Sequence, residues 1–146
     1  MVSAPYDIGP IRPPSESGSL LIRVNRNCPW NKCEFCPVYK GERFEKKSVE
    51  EIKSDIDRAA AFYGVRAPLV RTAFLQDANA VLMKTDELVE VIKYLKEKFP
   101  GVARITAYGR AQTVAKKTVS ELKQLREAGL TRLHIGMESG SAAVLE

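Results

Sequence analysis

Three cysteines lie close together in the first quarter of the chain, and the sequence contains no others. They are Cys28, Cys33 and Cys36, within the stretch CPWNKCEFCP at residues 28–37. Three thiolates on one loop can ligate three irons of a four-iron cluster and leave the fourth iron without a protein ligand. A small molecule can bind and react at such an open position. The spacing therefore predicts an open-site [4Fe–4S] cluster.

Other uses of three cysteines fit the sequence less well. Disulfide frameworks use an even number of cysteines, and a structural zinc site normally takes four Cys or His ligands. The one histidine, His134, is far from the cysteines along the chain. A structural zinc site and a chance group of buried thiols remain as alternative interpretations. The alternative function is a non-catalytic iron–sulfur protein that carries electrons or senses iron.

The composition of the 146-residue chain is typical of a soluble globular domain, with 45% hydrophobic and 28% charged residues. No apolar run approaches the roughly 20 residues of a membrane span, and the amino end has no signal-peptide pattern. We therefore expect a cytoplasmic protein, with no membrane partner, whose thiols stay reduced. The net charge of +5 leaves a nucleic-acid partner open, although we favour a solvated basic face as its explanation.

Strand and helix patterns alternate along the chain. Residues 1–18 hold four of the eight prolines and predict an extended leader that does not pack as an element. The predicted strands are residues 19–25, 69–75, 103–108 and 131–136. Three complete helices are predicted to follow caps at Ser48, Thr85 and Thr118, and a fourth helix is predicted to begin at Ser141.

This alternation predicts an α/β fold of parallel strands joined by helices. Side chains alternate between the two faces of a strand. In the third predicted strand, Ile105 and Ala107 share one face, and Thr106 and Tyr108 share the other. One apolar face and one polar face favour a barrel wall over a sheet that is covered on both sides. We predict parallel βα repeats that form part of an incomplete (β/α)6 barrel.

A cysteine loop directly after the first strand of such a series lies at the carboxyl rim, where barrel enzymes build active sites. This arrangement resembles the radical S-adenosylmethionine (radical SAM) superfamily. The common signature of that family has three residues between the first two cysteines and two between the last two. Here the gaps are four and two. Phe35 matches the aromatic position before the third cysteine, and residues 135–141 (IGMESGS) are similar to the end of the family's fourth strand.

The resemblance implies a set of contacts to SAM. The backbone at Phe35 would contact the adenine, and Glu138 would bind the ribose. Asp77 or Asn79, in the stretch that replaces the family's Gly-Gly-Glu, would accept hydrogen bonds from the methionyl ammonium. Arg110, just past the third strand, would pair with the methionyl carboxylate.

The resemblance also implies cofactors, partners and extent. A [4Fe–4S] cluster would cleave SAM reductively to methionine and a 5′-deoxyadenosyl radical, which abstracts a hydrogen atom from a substrate that the sequence does not identify. A reductant protein such as ferredoxin or flavodoxin would supply the electron. Because the family's core has six βα units, we expect residues 19–146 to be the N-terminal, truncated part of a radical SAM core domain.

Overall fold

The structure is a computed structural model that describes residues 4–146. Its strands are Leu20–Arg23 (β1), Asn25–Arg26 (β2), Glu45–Lys46 (β3), Thr72–Gln76 (β4), Arg104–Tyr108 (β5) and Leu130–His134 (β6). Its α-helices are Val49–Tyr63 (α1), Thr85–Lys98 (α2), Ala111–Ala115 (α3), Val119–Ala128 (α4) and Ala142–Leu145 (α5). Over the described range, no helix has the length and apolar character needed to cross a membrane.

Four strands form one parallel sheet in the order β1-β4-β5-β6. Leu21 pairs with Phe74, which pairs with Thr106, so the three strands run in one register. The register shifts between β5 and β6, where Ile105 pairs with Leu130 but Thr106 pairs with Arg132. The predicted α/β fold with parallel βα repeats is confirmed, and the open sheet is consistent with part of a βα barrel.

The two faces of the sheet differ as the sequence predicted. Ile22, Leu75 and Ile105 belong to the main hydrophobic core together with buried residues of α1, α2 and α4. Phe74 and Thr106 are equally buried, but they lie on the opposite face, where the alternation of a strand places them. The second face is mixed, because the apolar Leu21 and Phe74 lie in line with Thr106.

Helix starts follow the predicted caps at two of the three positions. The Ser48 hydroxyl accepts the Glu51 N–H at the start of α1, and Thr118 and Glu121 form a complete capping box at the start of α4. The third prediction was wrong, because the N-cap of α2 is Lys84 and Thr85 is the first helical residue. The Thr85 hydroxyl instead donates to Glu121 Oε1 at 3.0 Å, a contact between helices that local sequence does not reveal.

The described part of the leader, residues 4–18, packs against the sheet, which its prolines alone did not indicate; residues 1–3 lie outside the described range. Tyr6 joins the main core, and Glu16 is completely buried at the end of a short 3-10 turn. Gln76, at the end of β4, donates from Nε2 to the carbonyls of Gly9 and Ile11 at 3.1 and 2.7 Å. Proline keeps this segment extended, and the buried amide of Gln76 supplies the partners that the extended backbone needs.

Candidate functional site

The cysteine loop follows β1 at the carboxyl edge of the sheet, as the sequence predicted. Its base is the antiparallel ribbon of β2 and β3, and the residues between them, 27–44, are called the cysteine loop here. Cys28, Cys33 and Cys36 are free thiols, each partly exposed. The structure thus presents all three sulfur donors on one loop at the edge where parallel βα proteins build their sites.

Hydrogen bonds within the loop give it a defined shape. The Asn31 side chain donates from Nδ2 to the Tyr39 carbonyl at 2.6 Å, and Lys40 donates from Nζ to the Asn31 carbonyl at 3.1 Å. The Asn31 backbone N–H points at Cys28 Sγ, 3.3 Å away. Asn31 has a φ of +49°, a left-handed conformation that asparagine tolerates better than most residues. Asn31 therefore ties the two arms of the loop together beside the first cysteine.

Asp77 lies at the end of β4 with its side chain fully buried. Its Oδ2 accepts hydrogen bonds from Arg23 Nε and from the Asn27 backbone N–H, both at 2.7 Å. Its Oδ1 has no hydrogen-bond partner within residues 4–146, and neither has the hydroxyl of the buried Tyr39. Burial raises the pKa of the Tyr39 phenol, and the negative charge of Asp77 raises it further. The carboxylate therefore sits under the loop, beside a buried phenol.

Asn79 and Arg110 are brought together. The Asn79 Oδ1 accepts the Arg110 backbone N–H at 3.1 Å, and its Nδ2 donates to the Thr113 hydroxyl at 2.8 Å. Arg110 is the residue before α3, and its guanidinium carbon lies 4.7 Å from the ring centroid of Trp30. Trp30 is part of the cysteine loop and is 45% exposed. This cation–π contact joins the end of β5 to the loop.

Glu138 lies in the exposed segment beyond β6. It has a φ of +64°, which is uncommon for any residue other than glycine, asparagine or aspartate. The Glu138 side chain folds back over Gly136, since a Cβ at Gly136 would lie 2.1 Å from Glu138 Oε1. Backbone strain of this kind is often found at binding sites, which is consistent with a functional role for the segment.

The comparison with protein families identifies the chain. The model of the radical SAM superfamily matches residues 22–146. The chain belongs to this superfamily. The searches of curated proteins and of solved structures gave no match. Members of the superfamily generally bind a [4Fe–4S] cluster and SAM, and they generally need a reductant and a substrate.

The donor set of this radical SAM chain fits an iron–sulfur cluster with one open iron. Three thiols on one loop match three irons, and the partial exposure of each cysteine leaves room for a cluster to approach. Within residues 4–146, however, no three Cys, His, Asp or Glu side chains are gathered into a metal-binding group.

The predicted SAM-contact residues differ in how accessible they are. Phe35 is 68% exposed and Glu138 is exposed, so both can meet a ligand without rearrangement. Asp77 and Asn79 are buried, and protein groups already occupy most of their hydrogen-bonding capacity. Their contact with SAM stays a prediction, since an ammonium would have to replace those partners or reach Asp77 Oδ1.

Two cavities lie near this edge of the sheet. One of about 360 Å³ includes Arg110, Thr113 and Lys117 in its lining. A larger one of about 650 Å³ lies between the β2–β3 ribbon and the amino ends of α1 and α2, and Lys46, Lys84 and other residues line it. The lining of the larger cavity includes neither the cysteines nor the predicted SAM contacts. This cavity is therefore separate from the candidate cluster and SAM site, although it is the larger of the two.

Arg23 and Tyr39 are site residues that the sequence argument missed. Arg23 is the last residue of β1, and it is the one charged residue in the run SLLIRVN. A charge at that position, next to Gln76 in the paired strand, could have suggested a partner at the strand ends. Tyr39 lies in a stretch without periodicity, so no pattern in the sequence marks it as buried.

Proposed function

We propose that this protein is a radical SAM enzyme, or the part of one that binds the cluster and SAM. In this proposal Cys28, Cys33 and Cys36 hold a [4Fe–4S] cluster with one open iron. The cluster supplies the electron that cleaves SAM reductively, which starts radical chemistry on a substrate. The observation that supports the proposal most is the family match over residues 22–146, joined to a loop of three cysteines at the carboxyl edge of the sheet.

The chain's own residues have distinct tasks in this proposal. The Asn31 N–H, already directed at Cys28 Sγ, orients this sulfur within the loop. The backbone near Phe35 contacts the adenine, and Glu138 accepts hydrogen bonds from the ribose hydroxyls. Arg110 binds the methionyl carboxylate, for which its guanidinium must leave the Trp30 ring or share it. A ferredoxin or flavodoxin is the proposed reductant.

The test measures SAM binding at the cluster directly. Protein is purified without oxygen, reconstituted with iron and sulfide, reduced with dithionite, and studied by electron paramagnetic resonance with and without SAM. We expect a signal that changes when SAM is added, together with 5′-deoxyadenosine as a product. A signal that SAM leaves unchanged would favour the non-catalytic iron–sulfur protein instead.

The control addresses the cysteines as a set. A variant with Cys28→Ala, Cys33→Ala and Cys36→Ala should bind no cluster, because the sequence has no other thiols. Its helical circular dichroism should match that of the unreconstituted wild type, since the thiols are not part of the core. Four irons per chain in the triple variant would show that the three cysteines do not hold the iron, and would contradict the proposal.

A further inference from the structure

We propose that Asp77, Arg23 and Tyr39 form an anchor that holds both arms of the cysteine loop, and that Asp77 is a positioning residue for the cluster ligands. These three residues are called the loop anchor below. The inference rests on the proposed function insofar as the loop is taken to hold a cluster. Its test uses the protein without metal, so the two can fail separately.

The first arm of the loop is held through Asp77 Oδ2. This atom accepts the backbone N–H of Asn27, the residue directly before Cys28, at 2.7 Å. The Arg23 guanidinium approaches the same oxygen to 2.6 Å and also donates from Nη2 to Asn27 Oδ1 at 3.1 Å. Asn27 has a φ of +69°, so the chain turns sharply at the residue that is hydrogen-bonded to Asp77 and Arg23. The direction in which Cys28 leaves β2 is therefore set by Asp77.

The second arm is held through Tyr39, three residues after Cys36. The Tyr39 ring is buried, with 2% of the residue exposed, and its carbonyl accepts the Asn31 side chain from the opposite arm. Burial, and then the negative charge of Asp77, raise the pKa of the Tyr39 phenol. Neither the Tyr39 hydroxyl nor Asp77 Oδ1 has a hydrogen-bond partner within residues 4–146, and the two are complementary because a hydroxyl can donate to a carboxylate.

The leader supports the anchor from the far side. Arg23 Nη1 donates to Asp7 at 3.0 Å, so the guanidinium lies between two carboxylates. Gly9 lies against Asp77, since a Cβ at that position would come within 2.0 Å of Oδ1. The carboxylate is thus enclosed by the leader, the loop and β1. An enclosed, paired carboxylate is suited to fixing a loop, because losing one partner leaves the other charge buried and unpaired.

The experiment compares two buried aspartates by the reactivity of the loop thiols. In the metal-free protein, Asp77→Asn should speed alkylation of the cysteines by about tenfold, as expected when a charge-assisted hydrogen bond that closes a loop is lost. Acrylamide should also quench Trp30, the one tryptophan of the chain, more strongly. The matched control is Asp55→Asn, which removes a buried carboxylate that pairs with Lys47 and Arg58. Lys47 keeps its ion pair with Asp7 in this variant, so the contact between the leader and the anchor is retained.

The control separates positioning from general loss of stability. Asp55→Asn should lower the free energy of unfolding without a matching change in thiol reactivity or Trp30 quenching. Tyr39→Phe provides a milder variant that keeps the ring packed, and it should speed alkylation by a smaller factor. Equal thiol reactivity in Asp77→Asn and Asp55→Asn at equal stability, or no change in Tyr39→Phe, would overturn the anchor.

The outcome for the cluster is read separately. If the anchor is correct and the loop holds a cluster, reconstituted Asp77→Asn should bind fewer irons per chain and give an altered resonance spectrum. If wild type binds no iron but Asp77→Asn still frees the thiols, the proposed function fails and the anchor stands. If all variants bind iron equally with one spectrum, Asp77 does not position the ligands.

Discussion

Glu16→Gln tests the finding that the leader packs into the polar face of the sheet. The Glu16 side chain is fully buried. The Ser19 hydroxyl donates to its Oε2 at 2.5 Å, and Arg104 Nη2 lies 3.5 Å from the same oxygen. His134 Nε2 lies 3.8 Å from Oε1. The substitution removes the negative charge and keeps the shape and an acceptor for Ser19.

The pKa of Glu16 determines how this effect depends on pH. Burial by itself raises the pKa of the carboxyl, but the hydrogen bond from Ser19 and the charge of Arg104 outweigh it, so the pKa is lowered from 4.5. A group with a lowered pKa stabilises the fold above its unfolded pKa, and this contribution is lost as the pH falls through the folded pKa. The charge of Glu16 therefore stabilises the protein at neutral pH and not in strong acid.

The size of the effect follows from the contacts that remain. A hydrogen bond to a charged group contributes about 1.5–3 kcal/mol, and the glutamine keeps part of it. The Arg104 pair adds little, because the arginine side chain is 37% exposed and screened by water. We expect Glu16→Gln to lower the free energy of unfolding at pH 7 by about 2 kcal/mol, or Tm by about 4–8 °C.

Urea unfolding of the metal-free protein at pH 7 and at pH 3 measures this difference. The two proteins should converge in stability at the lower pH. Glu127→Gln is the control, since its carboxylate is 64% exposed and pairs with Lys123 on the same helix, so its loss should cost under about 0.5 kcal/mol. A loss in Glu16→Gln no larger than that of the control, or one that grows in acid, would refute the argument.

Three further substitutions test other parts of the molecule. Thr118→Ala removes the side-chain acceptor at the start of α4 and should lower the free energy of unfolding by about 1 kcal/mol in urea; an unchanged urea midpoint would contradict the capping box. Arg110→Ala removes the cation that stacks on Trp30 and should shift tryptophan emission to longer wavelength, with a stability change of about 0.5–1 kcal/mol. Glu138→Ala should weaken SAM binding to reconstituted protein by about 1–3 kcal/mol in calorimetry, at unchanged iron content. Equal affinity in the variant would remove Glu138 from the proposed SAM site.

Local signals account for the parts of the fold that the sequence predicted. The box of Thr118 and Glu121 needs residues three positions apart, and the alternation of Ile105 and Ala107 with polar neighbours needs one strand. The capping box and the strand alternation depend only on residues that are near one another in the sequence, so they can be predicted without knowing the fold. Thr85 shows the limit of prediction from local sequence. Its hydroxyl could either cap α2 or bind a distant residue, and in the structure it donates to Glu121.

The leader could not be predicted by the same means. Its prolines correctly indicate extended backbone, but extension does not say whether a segment is covered. Coverage depends on Gln76, more than 60 residues later, whose side chain bonds the leader backbone at Gly9 and Ile11. Glu16 appears in the sequence as a surface residue, and its burial follows from Ser19 and Arg104 meeting it across the sheet.

In the candidate site, too, local sequence predicted some residues, whereas others depend on contacts between distant parts of the chain. The cysteines became candidates through their residue type and spacing, and Asp77 became a candidate through the resemblance of its stretch to the position of the family's Gly-Gly-Glu. Its partners Arg23 and Asn27 belong to a different strand end, and they meet Asp77 because β1 and β4 are neighbours in the sheet. Knowledge of strand order would have placed these residues together.

Ion pairs of Asp7 connect the leader to the residues on both sides of the cysteine loop. Asp7 binds Arg23 of the loop anchor at 3.0 Å and Arg26 of the β2–β3 ribbon at 2.8 Å. Lys47, directly after β3, binds Asp7 at 3.2 Å. One leader carboxylate therefore contacts the strand before the loop, the ribbon at its base and the chain after it. These ion pairs join the leader to the stem of the cysteine loop, and none of residues 27–44 belongs to the main hydrophobic core.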